Sequence, residues 1–170
     1  MLNIINNLKP FFKDSYRKIN VREYARINKI SPPTASKLLE KYHKQNLLEK
    51  EKFKNYIFYY ANINNKLFID LSRIYWLQEL KRIGLIEYLN ENLLEPVIYL
   101  FGSFSKAEIN KNSDIDIAIF TISEKIVNLS KFEQKIKRRI EIFQFKDIKF
   151  VKNKELLGNI LEGYLLSGNW

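Results

Sequence analysis

Two apolar runs, separated by a glycine–serine pair and a polar loop, constrain the fold of this chain more than any other feature. Val97–Phe101 is a continuous apolar run, which is typical of a strand buried on both faces. It ends in Gly102-Ser103, and after ten intervening residues Asp114-Ile115-Asp116 opens a second apolar run that extends to Thr121. The segment therefore predicts two strands of a buried sheet, joined by a turn and a polar connection.

The polar residues at the ends of these strands are suited to binding phosphate and metal. Side chains alternate along a strand, so Asp114 and Asp116 are expected on one face, where they repel each other unless a cation lies between them. Hard oxygen ligands of this kind suit Mg²⁺. Gly102 would let backbone N–H groups approach a phosphate, Ser103 can donate its hydroxyl, and a helix over about Ser105–Glu108 would direct its N-terminus at the anion. The alternative is a polar hairpin whose two aspartates face water.

The motif Gly102-Ser103, followed by Phe104-Ser105-Lys106-Ala107-Glu108 and by Asp114-Ile115-Asp116, resembles a known superfamily. This is the nucleotidyltransferase superfamily that includes DNA polymerase beta, kanamycin nucleotidyltransferase and the minimal nucleotidyltransferases of toxin–antitoxin operons. The resemblance covers roughly residues 80–170 and departs from the pattern at Ala107, where glycine is usual. It implies a small mixed β-sheet with helices packed against it, and transfer of a nucleoside monophosphate from an NTP, with ATP as the expected donor.

The resemblance also implies roles for individual residues. Asp114 and Asp116 would hold two Mg²⁺ ions, and the nucleotide would be bound by Gly102, Ser103 and Lys106. The superfamily adds a third carboxylate on a later strand, which helps to bind metal and can deprotonate the acceptor hydroxyl. Glu141 is the best match because apolar residues flank it in a strand-like run, Ile140–Phe145. Its alternative interpretation is a strand residue that faces solvent.

The N-terminal third has the element order of a winged helix-turn-helix. Apolar spacing predicts helices over residues 3–13 and 20–29, and Ser31 followed by Pro32 is a strong signal for the start of a third helix that runs to about Gln45. Leu47–Lys50 and Tyr56–Ala61 then predict a hairpin around the polar residues Glu51–Asn55. This order resembles archaeal and bacterial winged-helix regulators, and archaeal proteins that join such a module to a minimal nucleotidyltransferase.

Positive charge is concentrated in the same region. Residues 1–62 hold 13 of the 29 basic residues but only 5 of the 19 acidic ones. Such an excess favours a polyanion partner. Judged by charge alone, a lysine-rich surface without any partner is an equally good explanation. Double-stranded DNA is the expected partner, unless the module only mediates protein contacts. The third helix would read bases through Thr34, Ser36 and Lys37, and phosphates would be contacted by Lys41, Lys44 and a basic hairpin tip of Lys50, Lys52 and Lys54.

The remaining periodicity predicts an α+β chain of three segments. Two helices are expected within residues 65–93, with a break near Gly84, and a charged helix over residues 123–138. A closing helix is expected from Lys152 to Leu166. We therefore divide the chain into a winged helix-turn-helix domain at residues 1–62, a connecting helix at 63–80 and a nucleotidyltransferase domain at 81–170.

Composition restricts the setting of the protein. The chain contains no cysteine, which excludes disulfides and thiolate metal sites and favours the cytoplasm. The first residues do not resemble a signal peptide, and no apolar stretch approaches the roughly 20 residues of a membrane span. A toxin protein and a second copy of the chain are further candidate partners. The alternative function is a DNA-binding regulator or antitoxin whose transferase domain is inactive or only senses nucleotide.

Overall fold

The chain divides into two compact units. A computed structural model describes residues 2–169. The N-terminal unit extends to Ser72 and includes Ala107–Lys111, and the C-terminal unit comprises Arg73–Lys106 and the residues from Asn112 onward. The division at residue 72 falls within the segment 63–80 that the sequence predicts as a connecting helix. We describe each unit by itself.

The N-terminal unit combines helices with a small antiparallel sheet. Its helices are α1 (Leu2–Lys13), α2 (Val21–Asn28) and α3 (Pro32–Lys44), and its strands are β1 (Ile19–Asn20), β2 (Leu48–Phe53) and β3 (Tyr56–Ala61). The strands have the order β1-β3-β2. The three predicted helices of this region are therefore present, with ends within a few residues of the predicted ones.

Local signals explain where α3 begins and which face it buries. Ser31 is the N-cap, and its side chain accepts a hydrogen bond from the backbone N–H of Thr34. Pro32 occupies the first turn, where its missing N–H costs no intrahelical hydrogen bond. The periodicity of α3 predicts a buried stripe of Ala35, Leu38, Leu39 and Tyr42; all but Leu38, which is partly buried, are buried.

The hairpin is longer and tighter than the sequence suggests. β2 and β3 remain in register as far as Phe53 opposite Tyr56, so the connection contains only Lys54 and Asn55. Lys54 has a positive φ of 53°, as a two-residue hairpin turn of this hand requires. The predicted basic tip is therefore wrong in part, because Lys50 and Lys52 lie on strand β2 and only Lys54 lies in the turn.

The C-terminal unit is built around a four-stranded mixed sheet. Helix α4 (Lys66–Arg82) contributes its residues from Arg73 onward. The other elements are α5 (Leu85–Asn92), β4 (Val97–Phe101), α6 (Ser103–Lys106), β5 (Ile115–Phe120), α7 (Ser130–Ile136), β6 (Ile140–Phe145), a 3₁₀ turn at Ile148–Phe150, α8 (Lys154–Leu161) and β7 (Tyr164–Ser167). The strand order is β6-β5-β4-β7. β5 and β6 are parallel, whereas β4 is antiparallel to both β5 and β7.

The central strands β4 and β5 are buried on both faces, as their continuous apolar sequences predict. One face belongs to a cluster that packs against α8 and the segment before it. Its buried members are Val97, Phe101, Ala118, Phe120, Val151 and Ile160. The predicted α+β class with a small mixed sheet is thus confirmed for this unit.

Two of the predicted helices are present but much shorter than expected. Only Ser130–Ile136 is helical within the predicted helix at residues 123–138. The preceding loop exposes its large apolar residues, and Ile126 is 94% exposed. Side-chain oxygens of Ser123 and Asn128 instead accept hydrogen bonds from backbone N–H groups two residues ahead, which competes with helix formation.

The predicted closing helix at Lys152–Leu166 ends at Leu161, and Tyr164–Ser167 forms the edge strand β7. Gly163 permits this change of direction, because a Cβ there would lie 2.6 Å from the carbonyl oxygen of Leu100. The chain can therefore come close enough to β4 for Tyr164 to pair with Leu100. No helix within residues 2–169 is long and apolar enough to cross a membrane.

Candidate active site

The glycine–serine turn at the end of β4 forms one wall of the candidate site. Gly102 has a positive φ of 65°, and α6 begins at Ser103, two residues earlier than the predicted helix at Ser105–Glu108. A Cβ built at Gly102 would overlap the Oδ2 atom of Asp116. Glycine is therefore required here for two reasons: its backbone conformation and the close approach of a carboxylate.

Strand pairing determines where the three predicted acids, Asp114, Asp116 and Glu141, lie relative to this turn. Asp116 on β5 is in register with Phe101 of β4 on one side and with Glu141 of β6 on the other. Residues that are in register on neighbouring strands direct their side chains to the same face, so Asp116 and Glu141 share a face. Asp114 lies two residues before Asp116 and directly precedes β5. The structure therefore brings Asp114, Asp116 and Glu141 to the same end of the sheet.

Electrostatics support this grouping. The pKa of Asp116 is raised from 3.8 to about 6, first by its burial and then by the negative charges of Glu141 and Asp114. Burial disfavours the charged carboxylate, and two like charges nearby disfavour it further. A cation bound among these three groups would favour their charged forms and so oppose both effects.

The donor chemistry of the site fits Mg²⁺, since all three side chains are carboxylates and hard cations prefer oxygen ligands. Within residues 2–169, no three acidic, histidine or cysteine side chains already converge closely enough to enclose a metal ion. Three carboxylates repel one another without a cation, so closure around an ion would require their side chains to move together.

The predicted nucleotide-binding residues differ in their surroundings. Ser103 is partly exposed at the start of α6, beside the glycine turn. Lys106 at the end of α6 extends instead to the end of α8, where its Nζ donates to Asn159 Oδ1 at 3.0 Å and lies 3.6 Å from the Glu162 carboxylate. A phosphate contact by Lys106 would therefore compete with these two partners.

One residue of the turn that sequence analysis did not assign is Ser105. It is fully buried, and its hydroxyl donates to the carbonyl oxygen of Gly102 at 2.9 Å. This bond closes the turn and would hold the Gly102 backbone in position.

Ala107 is the position at which the motif departs from the family pattern, where glycine is usual. It adopts the left-handed conformation with φ of 57°, in which glycine is favoured.

The predicted nucleic-acid residues of the N-terminal unit are mostly exposed. Lys37, Lys41 and Lys44 are exposed on α3, and Lys52 is exposed on β2. Lys54 lies over the ring of Phe53. Three other predicted residues are less available: Ser36 is partly buried, the Thr34 hydroxyl lies 2.8 Å from that of Ser31, and Lys50 Nζ donates to the Glu40 carboxylate at 3.1 Å.

The aromatic residues of the hairpin mainly serve its own packing. Tyr59 is only 2% exposed, and the Tyr60 hydroxyl donates to Glu49 at 2.9 Å. Tyr56 is 54% exposed. It borders an open groove together with two exposed arginines of α2, Arg22 and Arg26, which sequence analysis did not assign to nucleic-acid binding. Their spacing of one helical turn is the only signal that could have identified them.

Comparison with known proteins gives three findings. Residues 84–168 match the family described as "Polymerase beta, Nucleotidyltransferase". The protein adenylyltransferase MntA of Shewanella oneidensis is 36% identical over 58 residues, which are 34% of this chain and 41% of MntA, so the alignment spans less than half of that relative. A solved structure, described as a crystal structure of a toxin–antitoxin with AMP-PNP, has a TM-score of 0.40 and 22% identity, covering 55% of this chain and 73% of its own.

The family match covers the glycine–serine turn, both aspartates, Glu141 and every strand of the mixed sheet. It agrees with the extent of the resemblance that the motif predicts. This chain therefore belongs to the polymerase beta nucleotidyltransferase family.

Proposed function

We propose that this protein is a Mg²⁺-dependent nucleotidyltransferase that transfers a nucleoside monophosphate from an NTP, with ATP as the expected donor, to a hydroxyl acceptor. One observation carries the proposal: Asp116 lies in register with Glu141 and directly against Gly102 of the turn, so that acids and turn meet at one end of the sheet. The raised pKa of Asp116, caused by burial and by the charges of Glu141 and Asp114, is consistent with this grouping. A carboxylate with a raised pKa, grouped with other acids beside a glycine turn, is characteristic of functional sites. Mutual repulsion of this kind is what a bound divalent cation would relieve.

Each residue has a role in the proposed reaction. Asp114 and Asp116 would hold two Mg²⁺ ions with help from Glu141, and the Gly102 backbone and the Ser103 hydroxyl would bind the triphosphate. When bound, Mg²⁺ neutralises the triphosphate and stabilises the attacking and leaving oxygens. Glu141 would accept the proton of the acceptor hydroxyl. The hydroxyl oxygen then forms a bond to the α-phosphorus while the bond to pyrophosphate breaks.

The proposed transfer can be tested directly by following which phosphate of ATP reaches the acceptor. The protein is incubated with Mg²⁺, cell extract and ATP labelled either at the α- or at the γ-phosphate. Transfer of a nucleoside monophosphate moves the α label to an acceptor and leaves the γ label in pyrophosphate. The Asp114→Ala and Asp116→Ala variants should lose α-label transfer. Asp147→Asn is the matched control, because Asp147 caps the 3₁₀ turn and asparagine can cap it equally well. Equal labelling by wild type and both alanine variants would refute the proposal.

For the N-terminal unit we propose a winged helix-turn-helix that binds double-stranded DNA. The order α1-β1-α2-α3-β2-β3, the exposed lysines of α3 and the positive charge of residues 1–62 support it. Binding to a duplex should weaken steeply with salt, with a log–log slope of about −0.9 per phosphate contacted. Salt-independent binding, or none, would contradict this part of the proposal. The proposed domain division remains 1–62, 63–80 and 81–170.

The second candidate is a DNA-binding regulator or antitoxin whose transferase domain is inactive or only senses nucleotide. One observation favours it: Lys106, which is expected at the nucleotide, is instead engaged by Asn159 and Glu162. Binding of ATP without label transfer to any acceptor, together with salt-dependent DNA binding, would support this candidate over the enzyme. A toxin-like protein partner and a cytoplasmic location remain proposals, which rest on the motif resemblance and on the lack of cysteine.

A further inference from the structure

The side chain of Arg138 connects two chain segments that the proposed site requires. Its Nη1 atom donates to the carbonyl oxygen of Ser113 at 2.8 Å. Its Cζ atom lies 5.3 Å from the centroid of the Phe104 ring and 5.8 Å from that of Trp76. Ser113 directly precedes Asp114, and Phe104 follows Gly102 and Ser103 in the turn.

The surface on which the guanidinium lies is formed by two aromatic rings that pack against each other. Phe104 and Trp76 are both buried, and their ring centroids are 4.6 Å apart in an edge-to-face arrangement. A guanidinium is planar and can lie over aromatic rings while its N–H groups remain free to donate. The rings therefore hold the group that donates the hydrogen bond to the Ser113 carbonyl oxygen.

The backbone of Arg138 is also held in place. Its N–H donates to the carbonyl oxygen of Glu133 at 3.4 Å, and the N–H of Ile140 donates to the Glu133 carboxylate at 2.9 Å. Ile140 begins β6, the strand that carries Glu141. The start of β6, the Ser113 carbonyl and the phosphate-binding turn are consequently tied together through one arginine.

We infer that Arg138 is a positioning residue of the nucleotidyltransferase site, which sets the place of Asp114 relative to Gly102 and Glu141. The inference rests on the proposed function and assigns Arg138 no contact with substrate or metal. Its effect is indirect: the hydrogen bond fixes the peptide before Asp114 and so restricts where the Asp114 carboxylate can lie. Lysine would retain the charge but not the planar group with its several N–H donors. Arg138→Lys should therefore leave the position of the Asp114 carboxylate less restricted.

Metal affinity measured without an acceptor provides the test. Mn²⁺ is titrated by calorimetry into the wild-type chain, Arg138→Lys and Arg82→Lys. Arg82 is the matched control because it is largely exposed and paired with Glu79 three residues earlier. Loss of a residue that orients a metal ligand typically weakens metal binding about tenfold or more, and we expect this of Arg138→Lys, with Arg82→Lys unchanged. In the α-label assay, Arg138→Lys should need about tenfold more Mg²⁺ than the wild type to reach half of its maximal transfer rate. Its rate should recover in part when the Mg²⁺ concentration is raised.

A second variant separates positioning from folding. Arg138→Ala leaves a space for a small guanidinium compound, so methylguanidinium at non-denaturing concentrations should restore part of its Mn²⁺ affinity, whereas methylammonium should not. Unchanged Mn²⁺ affinity in Arg138→Lys, or failure of methylguanidinium to restore Arg138→Ala, overturns the inference. A wild-type chain that binds Mn²⁺ but transfers no label refutes the proposed function alone. A wild-type chain that binds no Mn²⁺ refutes both.

Discussion

Gly102 lies directly against the carboxylate of Asp116, so close that the space a Cβ would need at position 102 is already occupied by Asp116 Oδ2. This relationship joins the two halves of the motif, which are separated by a polar loop in sequence. It explains why the turn requires glycine, and it places the backbone of the turn next to Asp116, whose pKa is raised.

Gly102→Ala is therefore expected to impair both stability and activity. The positive φ of 65° and the overlap with Asp116 together should cost about 1–3 kcal/mol in the free energy of unfolding. Displacement of Asp116 should lower the transfer rate by about 100-fold, since shifts of about 1 Å have effects of this size. Denaturant unfolding and the α-label assay measure the two quantities. Gly84→Ala is the control, because Gly84 also has a positive φ but no neighbouring atom within 4 Å of a Cβ. It should lose stability and keep activity.

The stability of the metal-free protein should depend on pH through Asp116. Its pKa is about 6 in the folded chain, against 3.8 for an ordinary aspartate, so the folded state holds this proton more tightly than the unfolded state. The free energy of unfolding is thus expected to fall as pH rises from about 4 to about 6, and to level off above that. Because Asp116 is partly exposed, solvent screening should limit the fall to about 1–2 kcal/mol.

Urea denaturation with a chelator present, repeated across this pH range, measures the effect. Asp116→Asn should flatten the dependence, and Asp147→Asn should leave it intact. A wild-type profile that coincides with that of Asp116→Asn would contradict the raised pKa.

Glu141→Gln tests the third acid. Loss of a general base, and of one metal ligand, should lower the transfer rate by about 10²–10⁴-fold while the chain remains folded. Glu124→Gln serves as the control, since Glu124 is exposed and its carboxylate contacts only Lys146 among the ion pairs of the described residues. Wild-type activity in Glu141→Gln would show that Glu141 is not part of the site. The alternative interpretation of Glu141, a strand residue that faces solvent, would then hold.

Lysines of the N-terminal unit should contribute unequally to DNA binding. Lys41 is exposed on α3, whereas Lys50 Nζ donates to the carboxylate of Glu40. If Lys41 contacts one phosphate, Lys41→Ala reduces the magnitude of the salt slope by about 0.9, and Lys50→Ala should reduce it less. Fluorescence anisotropy of a labelled duplex at several salt concentrations measures both slopes. A larger effect for Lys50→Ala would show that its pairing with Glu40 breaks on DNA binding.

Many local features of this protein are predictable from its sequence, because they depend on interactions between residues that are close along the chain. Ser31 and Pro32 identify the start of α3, and the apolar run Ile140–Phe145 coincides with strand β6. The spacing of Gly102, Asp114 and Asp116 is sufficient to indicate the family. Capping, side-chain alternation and turn conformation all operate over a few residues, so the sequence records them directly.

Strand pairing, in contrast, was decided by the tertiary structure. Glu141 became a neighbour of Asp116 only through the parallel register of β5 and β6, and Tyr164–Ser167 became a strand only because β4 offered an edge to pair with. The sequence contains the apolar residues of both segments but not the identity of the strand beside them. The contact of Arg138 with Ser113 likewise joins residues 25 positions apart. Such contacts gain their free energy from partners that are distant in sequence, and a local pattern therefore cannot specify them.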